Sequence, residues 1–337
     1  MSNAEDTDLR AAIIGCGKIG SEFADDPRIK GIYNHAGAWR ACKGIDLVAV
    51  CDADPERARR CAERWNVAQW HTDAEAMLEQ VSPDLLSVCT PDGTHFSIIS
   101  AALASPNMRG ILAEKPLALE PTQAEQLVTR AAEQGIRLAV NYSRRYSPGH
   151  QALRQRIENG ELGAIQSVAG FYTKGTLHNG THWFDLARFL VGEVTEVRGF
   201  DRLREAGEDP TLDVRLMFQN GASGSLLGLD ATVYSLFEMD IVGTLGRVRI
   251  VDGGHWFENF HAGDSPYYSG YRTLLPSERE AGRVDDTLFN AALDLVASVR
   301  DGRAPLCDGH DALRALAIGL AARTSAARRG ETQALDP

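Results

Sequence analysis

The chain of 337 residues is long enough for two domains of ordinary size. Its content of 44% hydrophobic and 24% charged residues is typical of a soluble globular protein and argues against disorder. The net charge of −11 argues against nucleic-acid and anionic-membrane partners, because both bind through a basic surface. Apolar stretches such as 47–51 are far shorter than the roughly 20 residues that span a bilayer.

The cysteines and the start of the chain predict a reducing compartment. The start lacks the basic segment and apolar stretch of a secretory signal. The 6 cysteines form no C-x-x-C pair, and several lie in apolar strand-like runs, which favours buried thiols over a disulfide framework. We therefore expect a cytoplasmic protein.

Residues 8–143 alternate between strand-like and helix-like patterns. This alternation indicates an α/β domain with a doubly wound parallel sheet that is covered by helices. The predicted strands are short apolar runs, at 9–14, 46–51, 85–89, 110–113 and 136–141. Such runs are typical of strands that are buried on both faces.

A glycine loop, G-C-G-K-I-G, follows the first predicted strand. Gly15 would allow a tight turn, Gly17 the close approach of a pyrophosphate, and Gly20 close helix–strand packing. The backbone of Lys18 and Ile19 would then meet the phosphates at the start of a helix. The motif alone matches many glycine-rich turns. Here a strand precedes it and an acid ends the next strand, which together predict a Rossmann dinucleotide-binding domain.

That acid is Asp52, which favours NAD over NADP. A carboxylate at this position accepts hydrogen bonds from the adenosine ribose and repels a 2′-phosphate, and no arginine follows at 53 or 54. The alternative is a helix-capping aspartate, a role for which Asp54 is better placed. Asp52 lies 32 residues after Gly20, where about 20 is usual, so residues 21–34 are interpreted as an inserted loop, either near the site or at the surface.

Residues 144–337 have a different pattern, in which strand-like runs follow one another without long helices between them. These runs lie at 166–173, 194–201, 212–218, 223–229, 237–242 and 247–251. They predict a second, α+β domain with a mostly antiparallel sheet. Two helices are predicted near the end, at 286–300 and 311–328.

Four further motifs stand in order along the chain: T-P-D-G-T-H at 90–95, E-K-P at 114–116, R-R-Y-S-P at 144–148 and G-T-H-W-F-D at 180–185. With the glycine loop, they make the chain resemble the Gfo/Idh/MocA (glucose–fructose oxidoreductase / inositol dehydrogenase) family over nearly its whole length. The resemblance implies an NAD(P)-binding domain, a substrate and oligomerisation domain, and a homodimer or homotetramer. It also implies that the cofactor contacts Thr90, Pro91, His95, Glu114 and Lys115.

Lys115 of the E-K-P motif is the first candidate catalytic residue. It follows an apolar strand, and open α/β sheets bind ligands at the carboxyl ends of their strands. Its ammonium could donate to a substrate hydroxyl and stabilise alkoxide character as hydride leaves the carbon. This lysine is catalytic in the family, so the resemblance implies the same role here. The alternative is a surface lysine paired with Glu114.

His182 is the second candidate. Oxidation of a hydroxyl releases a proton, which an imidazole with an ordinary pKa of about 6.5 can accept near neutral pH. The resemblance implies that this histidine contacts the substrate and accepts the proton or assists its acceptor. The alternative is a buried histidine that only satisfies its neighbours.

His178 departs from the family pattern, because many inositol-dehydrogenase-like members carry an aspartate four residues before the histidine. In a helix, His178 and His182 would lie on one face and could share a substrate hydroxyl. A neutral histidine cannot balance charge as a carboxylate does, so Asp185 is expected either to supply the negative charge or to bind backbone. The same three side chains could bind zinc or another transition metal. We predict no metal, since the family generally works without one and no cysteine lies near.

These features predict NAD-dependent oxidation of a secondary hydroxyl on a sugar, polyol or sugar derivative. Arg144, Tyr146 and Lys174 are candidate substrate contacts, and Arg144 or Lys174 could pair with a substrate carboxylate or phosphate. The alternative for each basic residue is a solvated side chain. Two other functions stay open: a redox-neutral enzyme that retains NAD for elimination, hydrolysis or isomerisation, and a non-enzymatic NAD-sensing regulator.

Overall fold

The computed structural model describes residues 8–205 and 207–336. It contains two compact units. The first comprises the chain up to Tyr146 together with Asp285–Leu313, and the second comprises Ser147–Val284 and the chain from Arg314 onward. The first unit is therefore built from two separate stretches of sequence.

The strands and helices of the first unit alternate along the chain. They are β1 (Leu9–Ile14), α1 (His35–Ala41), β2 (Ile45–Cys51), α2 (Pro55–Trp65), β3 (Gln69–His71), α3 (Ala74–Val81), β4 (Leu85–Val88), α4 (His95–Ala102), β5 (Gly110–Ala113), α5 (Pro121–Glu133) and β6 (Arg137–Val140). The sheet has the order β3-β2-β1-β4-β5-β6, and all of its pairings are parallel. This confirms the doubly wound Rossmann sheet.

The second unit follows a different pattern. Its elements are α6 (Pro148–Glu158), β7 (Ile165–Tyr172), α7 (Thr181–Val191), β8 (Val194–Phe200), β9 (Asp213–Phe218), β10 (Ser223–Gly228), β11 (Phe237–Gly243), β12 (Gly246–Val251), β13 (Trp256–Asp264) and β14 (Arg272–Ala281). After these come α8 (Thr287–Asp301) of the first unit, α9 (Gly309–Ala327), which crosses the second boundary, and β15 (Gln333–Ala334). The sheet order is β14-β13-β12-β11-β7-β10-β9-β8-β15, with only β7 and β10 parallel among the described pairings. The predicted mostly antiparallel sheet is confirmed.

Helix α8 belongs to the first unit, although the sequence pattern assigned residues 285–313 to the second domain. Leu295 and Val299 of α8 pack on Gly110 of β5, where a Cβ would collide with both side chains. The helix also packs against α1. It covers β5 and β6 on one face, as a parallel sheet that is buried on both faces requires.

One face of the second sheet is covered by α7. Trp183 of α7 is fully buried and donates a hydrogen bond of 3.0 Å to the Glu238 carbonyl of β11. Phe171, Met217 and Leu227 lie at alternate positions of their strands and are exposed. Because side chains alternate between the faces of a sheet, these three residues mark the opposite face.

Within the described residues, no helix is both long and apolar enough to cross a membrane.

Candidate active site

The structure gives a reason for glycine at each of three positions in the loop after β1, which are 15, 17 and 20. Gly15 has a φ of +98° and lies directly against the backbone of Cys89. Gly20 lies directly against the carbonyl of Gly15. A Cβ at either position would collide with backbone. A Cβ on Gly17 would meet nothing within 4 Å, so the second glycine leaves open space beside the loop.

The backbone of this loop fits an anion. Among the described residues, the amides of Gly17, Lys18 and Ile19 donate to no protein acceptor. Phosphate oxygens bind well to such a group of neighbouring amides at the start of a helical turn. Open space beside Gly17 and three available donors therefore suit the pyrophosphate of a dinucleotide.

Asp52 follows β2 and is largely buried. Its Oδ2 accepts a hydrogen bond of 2.8 Å from the Cys16 amide, and its Oδ1 accepts one of 3.0 Å from the Asp54 amide. An ionised carboxylate has about four acceptor sites, so capacity remains for ribose hydroxyls. Asp54 caps α2, as expected. A guanidinium nitrogen of Arg57 in α2 lies 3.3 Å from the Asp52 Oδ1. The sequence analysis considered arginines only at positions 53 and 54 and so did not predict this contact.

The inserted loop interrupts the helix that was expected to follow the glycine loop. The chain forms a turn and a short 3-10 helix at Glu22–Asp25, and α1 begins only at His35. The His35 amide then donates to the Ile19 carbonyl at 3.0 Å, and the Ala36 amide donates to the Gly20 carbonyl at 3.0 Å. These two hydrogen bonds join the start of α1 to the end of the glycine loop, and residues 21–34 form a loop inserted between them. This insertion explains the long sequence spacing between Gly20 and Asp52.

The end of the insertion lies near the E-K-P motif. Burial raises the pKa of the Tyr33 phenol, while the Arg144 guanidinium lowers it and Glu114 raises it. Tyr33 therefore lies close enough to Arg144 and Glu114 for their charges to change its pKa. Its ring also makes an edge contact with Phe23 at a centroid distance of 5.8 Å. The end of the insertion therefore lies near the E-K-P motif, while residues 24–28 are exposed at the surface.

The E-K-P motif directly follows β5. The Glu114 amide donates to the Val88 carbonyl of β4 at 2.9 Å. The Glu114 Oε1 accepts hydrogen bonds from Asn141 Nδ2 at 2.7 Å and from His35 Nε2 at 3.1 Å. Lys115 follows at the same strand end, and the Lys115–Pro116 peptide bond is cis. The structure thus places the candidate lysine at the carboxyl edge of the parallel sheet, where such sheets bind ligands.

His95 connects two of the motifs. Its Nδ1 lies 2.6 Å from the Pro116 carbonyl and its Nε2 lies 2.8 Å from the Thr90 carbonyl. Carbonyl oxygens only accept, so both contacts are hydrogen bonds only when the ring carries two protons. His95 is fully buried, so its ring joins the T-P-D-G-T-H and E-K-P motifs from within the first unit. Thr90 itself is only partly buried, and its hydroxyl accepts a hydrogen bond of 2.8 Å from the Thr94 hydroxyl.

Arg144 and Tyr146 lie together in a 3-10 helix but differ in their surroundings. Burial lowers the pKa of the Arg144 guanidinium to about 10. Tyr146 is 1% exposed, and its hydroxyl lies 3.4 Å from the Val140 and Cys307 carbonyls. The side chain of Tyr146 therefore helps to pack the first unit, and the substrate contact expected of it gains no support from this placement.

In the second unit, the histidines lie on a π-helix that leads into α7. The π-helix runs Gly175–Gly180, after the left-handed residue Lys174, whose φ is +69°. His178 is exposed, His182 is half-buried, and Asp185 is 2% exposed. Four residues make roughly one turn in this segment, which keeps the two histidines near one side of it. π-Helical turns are frequent at functional sites.

Asp209 fixes the start of that π-helix. Its Oδ1 accepts a hydrogen bond of 2.8 Å from the Leu177 amide, and its Oδ2 accepts one of 2.8 Å from the His178 amide. Gly175, with a φ of +82°, leaves the room that this carboxylate occupies. A carboxylate thus lies beside His178 although the expected aspartate is missing from the motif itself.

The metal-binding alternative gains no support. Across residues 8–205 and 207–336, no group of three or more His, Cys, Asp or Glu side chains could hold a metal ion. The cluster of His178, His182 and Asp185 is included in that finding.

Sequence reasoning missed several polar residues of these sites. Asn141 directly follows β6, a position at the ligand-binding edge that could have marked it. Its Oδ1 is buried and accepts no hydrogen bond within the described part of the chain, so it can accept one from a bound molecule. His35 carried no signal because it follows the insertion, and Asp209 carried none because its loop has no motif.

Comparisons with known proteins agree with these features. Residues 9–142 match the family model described as the oxidoreductase family with an NAD-binding Rossmann fold, and residues 150–249 match the GFO/IDH/MocA C-terminal domain. The chain is 25% identical to scyllo-inositol 2-dehydrogenase (NAD(+)) of Bacillus subtilis, over 97% of this chain and 96% of that protein. It is 29% identical to inositol 2-dehydrogenase 4 of Saccharopolyspora erythraea, over 97% of this chain and 96% of that protein.

A solved structure shows the same fold. It is an oxidoreductase from Agrobacterium radiobacter in complex with NAD+, L-tartaric acid and magnesium, with a TM-score of 0.77 and 22% identity over 97% of this chain and 98% of that chain. The match of residues 9–142 to an NAD-binding family model confirms the predicted NAD cofactor.

Proposed function

We propose that this chain, which belongs to the GFO/IDH/MocA family of NAD-binding oxidoreductases, oxidises a secondary hydroxyl of a sugar, polyol or sugar derivative through Lys115 and His182. The general activity, that of an NAD-dependent sugar or polyol dehydrogenase, agrees with the family and with the inositol dehydrogenases that the chain resembles. The roles of individual residues and the nature of the substrate are the proposal.

The observation that carries the proposal is the alignment of three motifs at one sheet edge. β1, β4 and β5 are neighbours in the parallel sheet, and their carboxyl ends lead into the glycine loop, the Thr90 motif and the E-K-P motif. Bound NAD supplies the hydride acceptor. The amides after Gly15 would hold its pyrophosphate, and Asp52 would accept hydrogen bonds from its adenosine ribose.

Lys115 polarises the substrate hydroxyl. Burial raises the pKa of the nearby Glu114 carboxyl, but hydrogen bonds from His35 and Asn141 and the charge of the Lys115 ammonium lower it overall. An ammonium that donates to the hydroxyl oxygen stabilises the negative charge that develops as the C–H bond breaks.

His182 accepts the hydroxyl proton. It is half-buried at the start of α7, and the π-helix before it is fixed by Asp209. Imidazole is suited to this transfer near neutral pH. We assign His178 and Asp185 to the same proton-handling segment, and His178 is exposed enough to meet a ligand.

Arg144 and Lys174 are proposed to contact an acidic group on the substrate. Burial lowers the pKa of Arg144 to about 10, and a guanidinium that has lost water interacts more strongly with a carboxylate or phosphate. Sugar acids are therefore the first compounds to test beside inositols.

Reduced-nicotinamide absorbance with a panel of inositols, aldoses and sugar acids tests this function. Lys115→Ala and His182→Ala are expected to lower kcat by about 100-fold or more, with calorimetric NAD affinity retained. Lys43→Ala removes an exposed lysine of the same unit and serves as the matched control. Full turnover in the Lys115 variant would reject its role. NAD that copurifies tightly while no reduced form accumulates would instead favour the redox-neutral reaction.

We also propose self-association through the face of the second sheet that lies opposite α7. Phe171, Met217 and Leu227 are each about 40% exposed on this face, at 41%, 39% and 39%. The face also carries both signs of charge, in the Arg247–Asp240 and Arg249–Glu258 pairs, so two copies can be complementary. Leu227→Glu is expected to shift a dimer or tetramer toward monomer in sedimentation velocity, and an unchanged mass would contradict this interface.

A further inference from the structure

A chain of buried polar side chains runs beneath the E-K-P motif. The Trp39 Nε1 donates to the Ser87 Oγ at 2.7 Å. The Ser87 Oγ lies 2.8 Å from the His35 Nδ1, and the His35 Nε2 lies 3.1 Å from the Glu114 Oε1. Trp39, Ser87 and His35 are fully buried, so water does not compete for these hydrogen bonds.

The direction of each hydrogen bond in this network follows from which groups can donate and which can accept. The indole of Trp39 can only donate, so Ser87 accepts from it. Ser87 has one proton to donate, and among the described residues the His35 Nδ1 is its only hydrogen-bond partner that can accept it. The proton of the imidazole is therefore on Nε2, and the ring donates it to Glu114. Every member of the chain is satisfied with His35 neutral and Glu114 ionised.

Glu114 has a second donor in Asn141, whose Nδ2 lies 2.7 Å from the same carboxylate oxygen. Burial alone would raise the pKa of the Glu114 carboxyl, but the hydrogen bonds from His35 and Asn141 and the nearby Lys115 ammonium lower it overall. The carboxylate is thus held negative directly beside the lysine.

The backbone of His35 is also part of the cofactor loop. Its amide donates to the Ile19 carbonyl at 3.0 Å, and it is the first residue of α1 after the insertion. One residue therefore links the glycine loop to the E-K-P strand end, through its backbone on one side and its side chain on the other.

We infer that His35 is a positioning residue, which holds Glu114 ionised and oriented through its Nε2–H and so maintains the environment in which Lys115 acts. This inference rests on the proposed function for the role of Lys115. The state of the imidazole is independent of any substrate.

Steady-state kinetics test the positioning role. His35→Leu is expected to lower kcat by roughly 10-fold or more with little change in KM, because a hydrogen bond to a charged group is lost. His35→Gln keeps an amide donor and is expected to recover most of that loss. In a Glu114→Gln background, His35→Leu should have less than about a threefold effect, since the residue acts through Glu114. Additive effects would overturn the inference.

A matched control separates positioning from general packing. His150 is equally buried and bonds a serine, Ser147 Oγ, through its Nδ1 at 2.9 Å. His150→Leu is expected to lower the melting temperature as His35→Leu does, but to leave kcat within about threefold. An equal loss of kcat in both variants would show that packing alone explains the effect.

Nitrogen-15 NMR of the imidazoles tests the inference without a substrate. The resonance that disappears in His35→Leu is expected to show a neutral ring with its proton on Nε2 at pH 7. A ring protonated on Nδ1 or on both nitrogens would overturn the hydrogen-bond direction. If no compound of the panel is oxidised but this tautomer is found, the proposed function fails while the assignment of His35 stands.

Discussion

The Asp52 carboxylate accepts a hydrogen bond of 2.8 Å from the Cys16 amide, which joins the acid after β2 to the glycine loop after β1. Its second oxygen accepts from the Asp54 amide at 3.0 Å. The residue proposed to bind the ribose therefore also fixes the backbone proposed to bind the pyrophosphate.

Asp52→Ala is expected to weaken NAD binding by more than the loss of the ribose contact, because the loop also loses its anchor. The reduction in affinity should be at least about 10-fold by calorimetry. Asp54→Ala is the matched control: it removes the cap of α2, should cost about 1 kcal/mol of stability, and should leave NAD affinity unchanged. Equal affinities in the two variants would contradict the anchoring role.

Gly17 and Gly20 should respond differently to the same substitution. Gly17→Ala places a methyl group in open space, so the melting temperature of the free protein should be unchanged while NAD affinity falls by about 10-fold or more. Gly20→Ala drives a methyl group into the Gly15 carbonyl and should cost about 1–3 kcal/mol of stability. Comparable melting temperatures for the two variants would show that the loop is looser than described.

Glu114 should make the stability of the protein depend on pH in the acid range. Burial opposes ionisation, but the bonds from His35 and Asn141 hold the folded-state pKa below that of an ordinary glutamate. A lowered pKa means that the carboxylate stabilises the fold above the unfolded value of about 4.3, and that this contribution is lost as pH falls through the folded pKa. Urea unfolding should therefore give a difference between the wild type and Glu114→Gln that shrinks as the pH falls below about 4.3. A difference that grows with acidity would mean that the pKa is raised.

Asp209→Ala should loosen the histidine segment. The Leu177 and His178 amides would lose their acceptors, so hydrogen exchange across 175–180 is expected to accelerate and kcat to fall by about 10-fold. Asp201→Ala removes another carboxylate–amide bond from the same loop, to Arg204, and should leave both measurements near those of the wild type.

The Rossmann sheet could be predicted from the sequence because its information is local. Apolar runs, the glycine loop and the acid at Asp52 lie within single segments, and each segment has one interpretation in a parallel sheet. Lys115 and His182 could be proposed as candidate catalytic residues because each lies in a contiguous motif.

The residues that support them were not predicted, for a physical reason. His35 reaches Glu114 across 79 positions of the chain and Asp209 reaches His178 across 31, so each contact exists only once the sheet or loop is folded. The insertion after the glycine loop was anticipated from the long spacing between Gly20 and Asp52, but its closure by the His35 and Ala36 amides depends on backbone hydrogen bonds that composition does not encode.

The discontinuous first unit has a consequence for biosynthesis. A ribosome that has translated 146 residues has made every strand of the parallel sheet, but not α8, whose Leu295 and Val299 pack on Gly110. The surface around Gly110 that these two side chains cover stays exposed on the nascent chain until α8, which ends at Asp301, has emerged. A fragment cut at residue 146 should therefore aggregate, and a workable boundary for expressing the NAD-binding unit must rejoin 285–313 to it.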